Sequence, residues 1–499
     1  MFEGFKSKVR GVLAKLGIIK TIKDLSDIKD IPVDGKTYQR IDEWKALYQG
    51  YYEPWHKVTY HTVDGERRRQ MASLRAPKVI TQEMASIIFN EKCEISLSNE
   101  ELSENIMGVL DANNFTALFQ EYLEYMFSLG GIVIKPYVKD DKLMLSYVTA
   151  DCFIPVGWDN KGISEGVFVN EVRKKDKKYT HLEWHLWEGE EYVIKNELFE
   201  AESKSGDVGH KVPLNTLFED LEEEVRIKEF KRSNFVYFKP SAGNNIDLNS
   251  PLGVSIYANA MDTLHTLDVA FDSFRQEFLL GKHRIIVPAS AVRAVPDPND
   301  GNKTVRYFDT NDEVYQGLAG GDLDDFKIDH DVVELRVEEH ISAINCMLDL
   351  LSMQTGFSSG TFSFDGKSMK TATEVVSENS KTFRTKQSNE NQIQSGITDL
   401  IECIIQTAEL YNMFSAPEDW EVTIKFDDSI AEDREAEIDK QIKMVVGGIQ
   451  SRKRAIMKAQ GVSEEEAEEI LKEIAQDQLE TDVTRQEEEA EQRNFGEEE

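Results

Sequence analysis

Cysteine is scarce in this 499-residue chain: Cys93, Cys152, Cys346 and Cys403 lie far apart, with no C-x-x-C pair. That spacing argues against a zinc ribbon or a disulfide framework and predicts reduced, buried, apolar cysteines in a protein made in a cytoplasm. No stretch approaches the roughly twenty apolar residues of a bilayer-spanning helix. Basic residues are also few, 58 Lys and Arg against 92 Asp and Glu, for a net charge of -34. DNA affinity comes largely from counterions released as basic side chains neutralise phosphates, so this balance disfavours a tight DNA binder. It suits a surface past which DNA moves without sticking. No HExxH helix and no GxGxxG loop after a strand occurs.

Apolar residues make up 40% of the chain, enough for sizeable cores and about three domains of ordinary size. Part of the acidity is concentrated at the end, where residues 461–499 hold 16 acidic and 3 basic side chains. That tail is expected to fray into solvent. The opening MFEGFKSKVRGVLAKLGIIKTI is basic and amphipathic, with Phe2, Phe5, Val9, Leu13 and Leu16 at helical spacing but no continuous apolar centre of a signal peptide. Docking on the protein's own body or on a partner is expected of it, with membrane-surface binding as the alternative.

Residues from about Ile41 to Phe127 read as helical, with a stripe at Ile80, Met84, Ile87 and Ile88, until Gly130 and Gly131 stop the pattern. The period then changes to two. GIVIKPYV, KLMLSYVTA, GVFVNEVRK, YTHLEWHLWEG, EYVIKNELF and FVYFKP predict an antiparallel meander. In YTHLEWHLWEG, Leu182, Trp184 and Leu186 are expected inside, with His181, Glu183 and His185 on a solvated face. His-x-Glu-x-His could in principle hold a metal, but no further ligand is signposted and no metal or cofactor is expected.

A long amphipathic helix follows, its stripe running through Tyr257, Met261, Leu264, Leu267, Phe271, Phe274 and Phe278 to a stop at Gly281. About fifty residues with their own strands separate it from a returning helix with Val337, Ile341, Ile344, Leu348 and Leu351 in a heptad-like stripe. The pair predicts a stalk carrying a small knob. Phe271, Phe274, Phe278, Ile341, Ile344 and Leu348 are its expected packing residues. Met347, Leu350 and Met353 are left over, for neighbouring copies to cover.

The next stretch, GFSSGTFSFDGKSMKTATEVVSENSKTFRTKQSNENQIQSG, has almost no apolar face. TATE opens a helix with Thr371 and Glu374 at capping-box spacing. From Ser377 to Gln392 the only large apolar residue is Phe383, before a stripe returns through Ile397, Leu400, Ile401, Ile404 and Ala408. A polar half-helix needs solvent or wet contacts with other subunits. Lys367, Lys370, Lys381, Arg384 and Lys386 outnumber the acids between Asp365 and Lys386. With Phe362 and Phe364 they suit a loop brushing a phosphate backbone, and an ordinary surface loop is the blander alternative. Two enzymatic strings fit their context poorly, and a nucleotide-binding enzyme using the first of them is kept as an alternative. Gly366-Lys367-Ser368 ends like a Walker A loop, but its first glycine is missing and a helix precedes it. GFSSG, with Ser358 at its centre, lacks the strand before and helix directly after that a nucleophile elbow needs.

The order of these parts, above all the helix LGVSIYANAMDTLHTLDVAFDSFRQEF, the return LDLLSMQTGFSSGTFSF and KTATEVVSENSKTFRT on a long helix, resembles the portal proteins of tailed bacteriophages. The likeness is to the long non-contractile-tail type of Gram-positive phages and prophages, over about Ile41 to Val483. It implies an α+β, multi-domain, non-enzymatic chain. Its parts are an N-terminal arm (1–40), a wing (41–250), a stem (251–281 and 333–357) and a clip (282–332). A tunnel loop (358–370), a long wing helix and strand (371–430) and a helical crown with acidic tail (431–499) complete it. The resemblance further implies a ring of twelve copies at one capsid vertex, nucleating head assembly and passing double-stranded DNA without sequence specificity. Its partners would be the large terminase subunit, a head-completion or adaptor protein, and the scaffolding and major capsid proteins, first in the host cytoplasm and then in the virion. Phe362, Phe364, Lys367 and Lys370 would meet DNA at the narrowest point, and Lys381, Arg384 and Lys386 would face the channel or neighbouring subunits.

Overall fold

The computed structural model describes residues 35–62, 65–90, 92–203, 208–281, 284–286, 293–297, 300–307, 329–331, 334–364, 380–426, 434–460, 466–468 and 470–474. The basic N-terminal segment and the end of the acidic tail lie outside them. Helices α1 (Gly35–Tyr48), α2 (Ala76–Ile88), α3 (Glu100–Ala112) and α4 (Phe115–Leu129) make the helical layer. Local chemistry sets their ends. Asn99 caps α3, its side chain accepting from the Leu102 amide, and Gly130 ends α4 with a φ of +84°.

The stretch from Ile41 to Phe127 is not uniformly helical, as its pattern had suggested. After a single helical turn at Glu53–His56, β1 (Lys57–Thr62) and β2 (Gly65–Gln70) form an antiparallel hairpin. The stretch VTYHTVDGERRRQ carries β-branched and aromatic residues on one side of a turn signal, a weak strand signature masked by the charge of the other side. A second departure is β3 (Glu94–Leu97), which pairs with β17 (Val422–Lys425) from more than three hundred residues away.

The predicted meander divides into two sheets. In the first, β4 (Ile132–Lys139) lies between β5 (Lys142–Thr149) and β12 (Val236–Phe238). In the second, β6 (Phe153–Asp159), β7 (Gly162–Lys174), β8 (Lys177–Glu188) and β9 (Glu191–Glu202) follow in order, with β10 (His210–Val212) and β11 (Glu224–Ile227) sharing the free edge of β9. Both faces of β8 are buried. His181 and His185 are therefore core residues, contrary to the solvated face expected of them. His181 Nε2 meets Asn196 Oδ1 at 3.0 Å, and His185 bridges the Tyr192 hydroxyl at 2.7 Å and Glu183 at 2.8 Å. Burial lowers both imidazole pKa values. Burial alone would raise that of Glu183, but Lys135 and His185 hold it well below the usual carboxylate range. The trio is occupied by hydrogen bonding, and no cluster among the described residues is arranged to hold a metal.

One continuous core joins the layers. Ile41 and Trp44 of α1, Ile80 and Met84 of α2, Phe119, Leu123 and Phe127 of α4, and Ile134 of β4 belong to it. So do Ile397, Leu400 and Ile404 of α7 (Ser380–Leu410). Each fully buried aliphatic or aromatic side chain contributes roughly 1.5–3 kcal/mol of hydrophobic free energy. The cysteines follow no single rule: all four are free, Cys403 is buried, Cys93 and Cys152 are half-buried, and Cys346 is exposed. Burial was expected of all four and holds only for Cys403.

Candidate functional site: the stem, its loop and the polar helix

The stem leaves the body through a tight junction. A Cβ on Gly130 would lie 2.6 Å from the Gly253 carbonyl oxygen, and one on Gly253 would lie 2.2 Å from that of Gly130, so the two backbones touch. Beyond this contact, the Tyr257 hydroxyl donates to the Trp44 carbonyl at 2.9 Å and lies 2.8 Å from Ser128 Oγ. Tyr257 is fully buried. Leaving that hydroxyl unpaired would cost about 1–3 kcal/mol, which explains the paired placement. Regular α-helix begins only at Met261, after a short 3-10 turn, and runs as α5 (Met261–Leu280).

Its partner, α6 (Val337–Thr355), lies against α5, and Ile344, Leu348 and Leu351 bury the shared side. Phe271, Phe274 and Ile341 are half-buried. Phe278 stacks edge-on against Phe274 at 5.0 Å yet remains 45% exposed, so it covers the stem tip more than it fills a core. Arg336 clamps that tip, its guanidinium donating to both Glu277 oxygens at 3.1 and 2.8 Å. Hydrogen bonds from Arg336 push the Glu277 pKa down to about 2. Between the two helices the backbone pairs β13 (Arg284–Ile286) with β16 (Asp329–Asp331), and β14 (Arg293–Asp297) with β15 (Asp300–Tyr307). The knob therefore has its own strands.

Two buried acids on α5 hold the β1–β2 hairpin. Asp268 meets His56 Nε2 at 3.0 Å and accepts from the Leu74 amide at 3.1 Å. Asp272 receives the Arg69 guanidinium in a fork, at 2.8 and 2.6 Å, and the Ala72 amide at 3.0 Å. Burial opposes ionisation of Asp272, but Arg69 and the amide outweigh it and lower its pKa. Nothing in the hydropathy of α5 announces these residues. A pair of acids one helical turn apart, on the shoulder of an apolar stripe, is the only sequence trace they leave.

After α6 the chain turns at Gly356, with φ +92°, and runs back along the helix it has just left. The Gly360 amide donates to Asp349 at 2.8 Å and the Phe364 amide to Asn345 at 2.7 Å, one turn further back. The Phe362 ring packs on buried Phe357 at 5.1 Å. Phe364 lies against Phe271 and Phe274 at 6.4 and 5.9 Å. These two aromatics anchor the loop to its own stem, a different job from stacking on a passing base. Ser358 is buried and bonds to Thr382, whose hydroxyl accepts the Ser358 amide at 2.9 Å. Its surroundings are those of a structural serine. Lys367, Lys370, the GKS string and the capping box at Thr371 lie outside the described residues.

The polar half of α7 faces inward more than its composition suggested. Thr382, Lys386, Asn389 and Glu390 are buried, at the spacing that continues into Ile393, Ile397, Leu400 and Ile404. Asn389 accepts from the Ser241 amide at 3.0 Å, and Lys386 pairs with Glu390 at 2.6 Å. Lys386 is therefore closed off inside the protomer, which removes it from any channel-facing set. Lys381 donates to the Met353 carbonyl, half-exposed, and Arg384 and Phe383 look outward.

On the outer side of the stem, Leu350 is 40% and Met353 52% exposed, while Met347 packs against the core. Following α7, helices α8 (Arg434–Val446) and α9 (Arg452–Gln460) fold on each other and leave Ile442, Val446 and Ile449 exposed. No helix among the described residues is long and apolar enough to cross a membrane. No curated protein sequence matches the chain. A family model for phage portal proteins, SPP1 Gp6-like, matches residues 29–480, and the chain belongs to that family of structural, non-enzymatic phage proteins.

Proposed function

We propose that this portal protein closes into a ring of twelve copies at a single capsid vertex, where it starts head assembly and forms the passage for DNA packaging, retention and ejection. The observation that carries this is the uncovered outer face of the stem. Leu350 and Met353 remain exposed on a helix whose other face buries Ile344, Leu348 and Leu351, a cost that a repeated subunit contact removes. The strand-bearing knob at the stem tip (282–332) is the part offered to the large terminase subunit during packaging and to a head-completion protein afterwards. The wing would meet the scaffolding and major capsid proteins.

DNA passes such a ring without sequence preference, because an acidic wall repels phosphates while a few cations touch the backbone in passing. Lys367 and Lys370 are the proposed contacts, on a loop whose entry is fixed to the stem by Phe362 and Phe364. Lys381 and Arg384 are proposed to line the approach or the subunit boundary. Assembly takes place in the host cytoplasm and the product resides in the virion.

Native mass spectrometry of the purified chain, with negative-stain class averages, tests the ring. Closed rings of about a dozen copies are expected, and a chain that stays monomeric with its capsid partners present would refute it. For the loop, Lys367→Ala with Lys370→Ala is expected to leave rings intact and to lower the DNA packaged or retained. Normal packaging in that variant removes the two lysines from the channel.

A further inference from the structure

The β1–β2 hairpin is a basic projection from a chain of net charge -34. It carries Lys57, Arg67, Arg68 and Arg69 against Glu66 among its described residues, and Thr59, Tyr60, His61, Arg67 and Arg68 are exposed. A two-stranded ribbon open to water on both faces is marginally stable by itself. This one is anchored at its base by Asp268 and Asp272. The Arg68–Glu66 pair, at 3.2 Å with both partners well exposed, is of the kind that contributes little and exchanges readily.

The second feature is an open groove of about 650 Å³ along the outer face of α6, lined in part by Glu338, Ile341, Cys346, Asp349, Leu350 and Met353. It combines acids with exposed apolar side chains, and the hairpin combines arginines with an exposed tyrosine. The hairpin is mounted on α5, whereas the groove lies on the side of α6 turned away from Ile344, Leu348 and Leu351. Unlike patches on different sides of one stem make a head-to-tail contact, which is the kind that closes a ring.

We infer that the β1–β2 hairpin of one copy docks in the α6 groove of the next. Tyr60 and Arg67, which share a rung and therefore one face of the ribbon, cover Leu350 and Met353 and meet Asp349, while Arg68, on the ribbon's other face, reaches Glu338. The inference rests on the ring proposed above. Duplex DNA is the other polyanion that arginines fit, but it would leave Leu350 and Met353 uncovered and would approach an acidic chain.

A crosslink tests the contact. Thr59 is exposed and shares a rung with Arg68, and the neighbour's groove already contains an exposed cysteine at position 346. Full-length Thr59→Cys, mildly oxidised, is expected to give a ladder of covalent multimers that continues past the dimer. Peptide mass spectrometry should find residue 59 joined to 346, and Cys346→Ser should abolish the ladder. Independently, Arg67→Glu with Arg68→Glu is expected to shift rings to monomers, with rings partly recovered on adding Glu338→Arg. Intact rings in the double reversal, with no 59–346 peptide in the cysteine variant, overturn the docking and leave ring formation standing. Wild-type chain that never forms rings overturns both. A double reversal that keeps its rings but loses binding to a duplex DNA probe assigns the hairpin to DNA and also overturns the docking.

Discussion

Asp272→Ala cuts the link between hairpin and stem, and its cost follows from what Asp272 holds. The carboxylate accepts a forked pair from Arg69, at 2.8 and 2.6 Å, and the Ala72 amide at 3.0 Å. Hydrogen bonds to charged groups contribute about 1.5–3 kcal/mol each. Arg69 keeps about a third of its side chain in water, so it is rehydrated when its partner goes, and the pair belongs at the low end of that range. Loss of the partly buried bond from the Ala72 amide adds to this and brings the total to about 2–4 kcal/mol. Much of this should appear locally. A loss of about 2 kcal/mol lowers the hydrogen-exchange protection of amides in residues 57–75 about 30-fold, while α2 and α4 stay protected. Asp272→Asn keeps an acceptor for the amide and should lose about half as much. In a double-mutant cycle with Arg69→Ala, a coupling energy below about 0.5 kcal/mol would refute the idea that this fork holds the hairpin.

Four further changes have definite expected outcomes. Asp42 on α1 has its pKa raised to about 6 by burial and by Asp151, with Lys45 opposing. A raised carboxylate pKa stabilises the fold below the unfolded value near 4 and loses that contribution as pH rises through 6. Asp42→Asn should therefore raise the free energy of unfolding at pH 8 by about 1–2 kcal/mol, after allowance for partial exposure, and leave it unchanged at pH 4, as denaturant titrations at the two pH values would read. Gly396→Ala places a methyl group 2.4 Å from the Phe238 ring; a loss of about 1–3 kcal/mol in urea unfolding is expected, eased by Phe238→Leu. Glu277→Ala releases Arg336, and amides at 277–281 and 334–340 should exchange faster without change in the body; unaltered exchange there refutes the tip clamp. Lys386→Met strands Glu390 in the interior, with an expected loss of about 3–5 kcal/mol, whereas Lys386→Met with Glu390→Leu should recover most of it. A neutral single change would put Lys386 back on the surface.

Much of the fold was written in period and punctuation. The stripe Ile80, Met84, Ile87, Ile88 is buried as its spacing requires, and strands occur at GIVIKPYV, KLMLSYVTA and EYVIKNELF because alternation and turn residues agree there. What stayed hidden is non-local. Pairing of β3 with β17 depends on two four-residue segments more than three hundred positions apart, and neither pattern names the other. The burial of His181 and His185 was equally invisible, because polar residues at alternate positions look the same whether they face water or a layer of hydrogen-bond partners. The hairpin was missed because its second strand, GERRRQ, has the composition of a solvated helix, and the feature that fixes it in space, Asp272, sits on another element.

The long helix α7 explains why the most distinctive stretch of the sequence was only half legible. Hydropathy divides it at Ile393 into a polar half and an apolar half, yet the burial pattern is one unbroken stripe through Thr382, Lys386, Asn389, Ile393, Ile397, Leu400 and Ile404. The change in chemistry along that stripe reflects what lies opposite. The apolar half meets the body's core, and the polar half meets backbone amides at Ser358 and Ser241, which only hydrogen-bonding side chains can satisfy. Polar composition thus marks a helix packed against loops rather than one left for water. It follows that the exposed face is the other one, where Phe383, Arg384, Gln387 and Ser388 are turned to water. There a single aromatic and a single cation stand among small and uncharged groups, a surface suited to sliding contact and unsuited to tight binding.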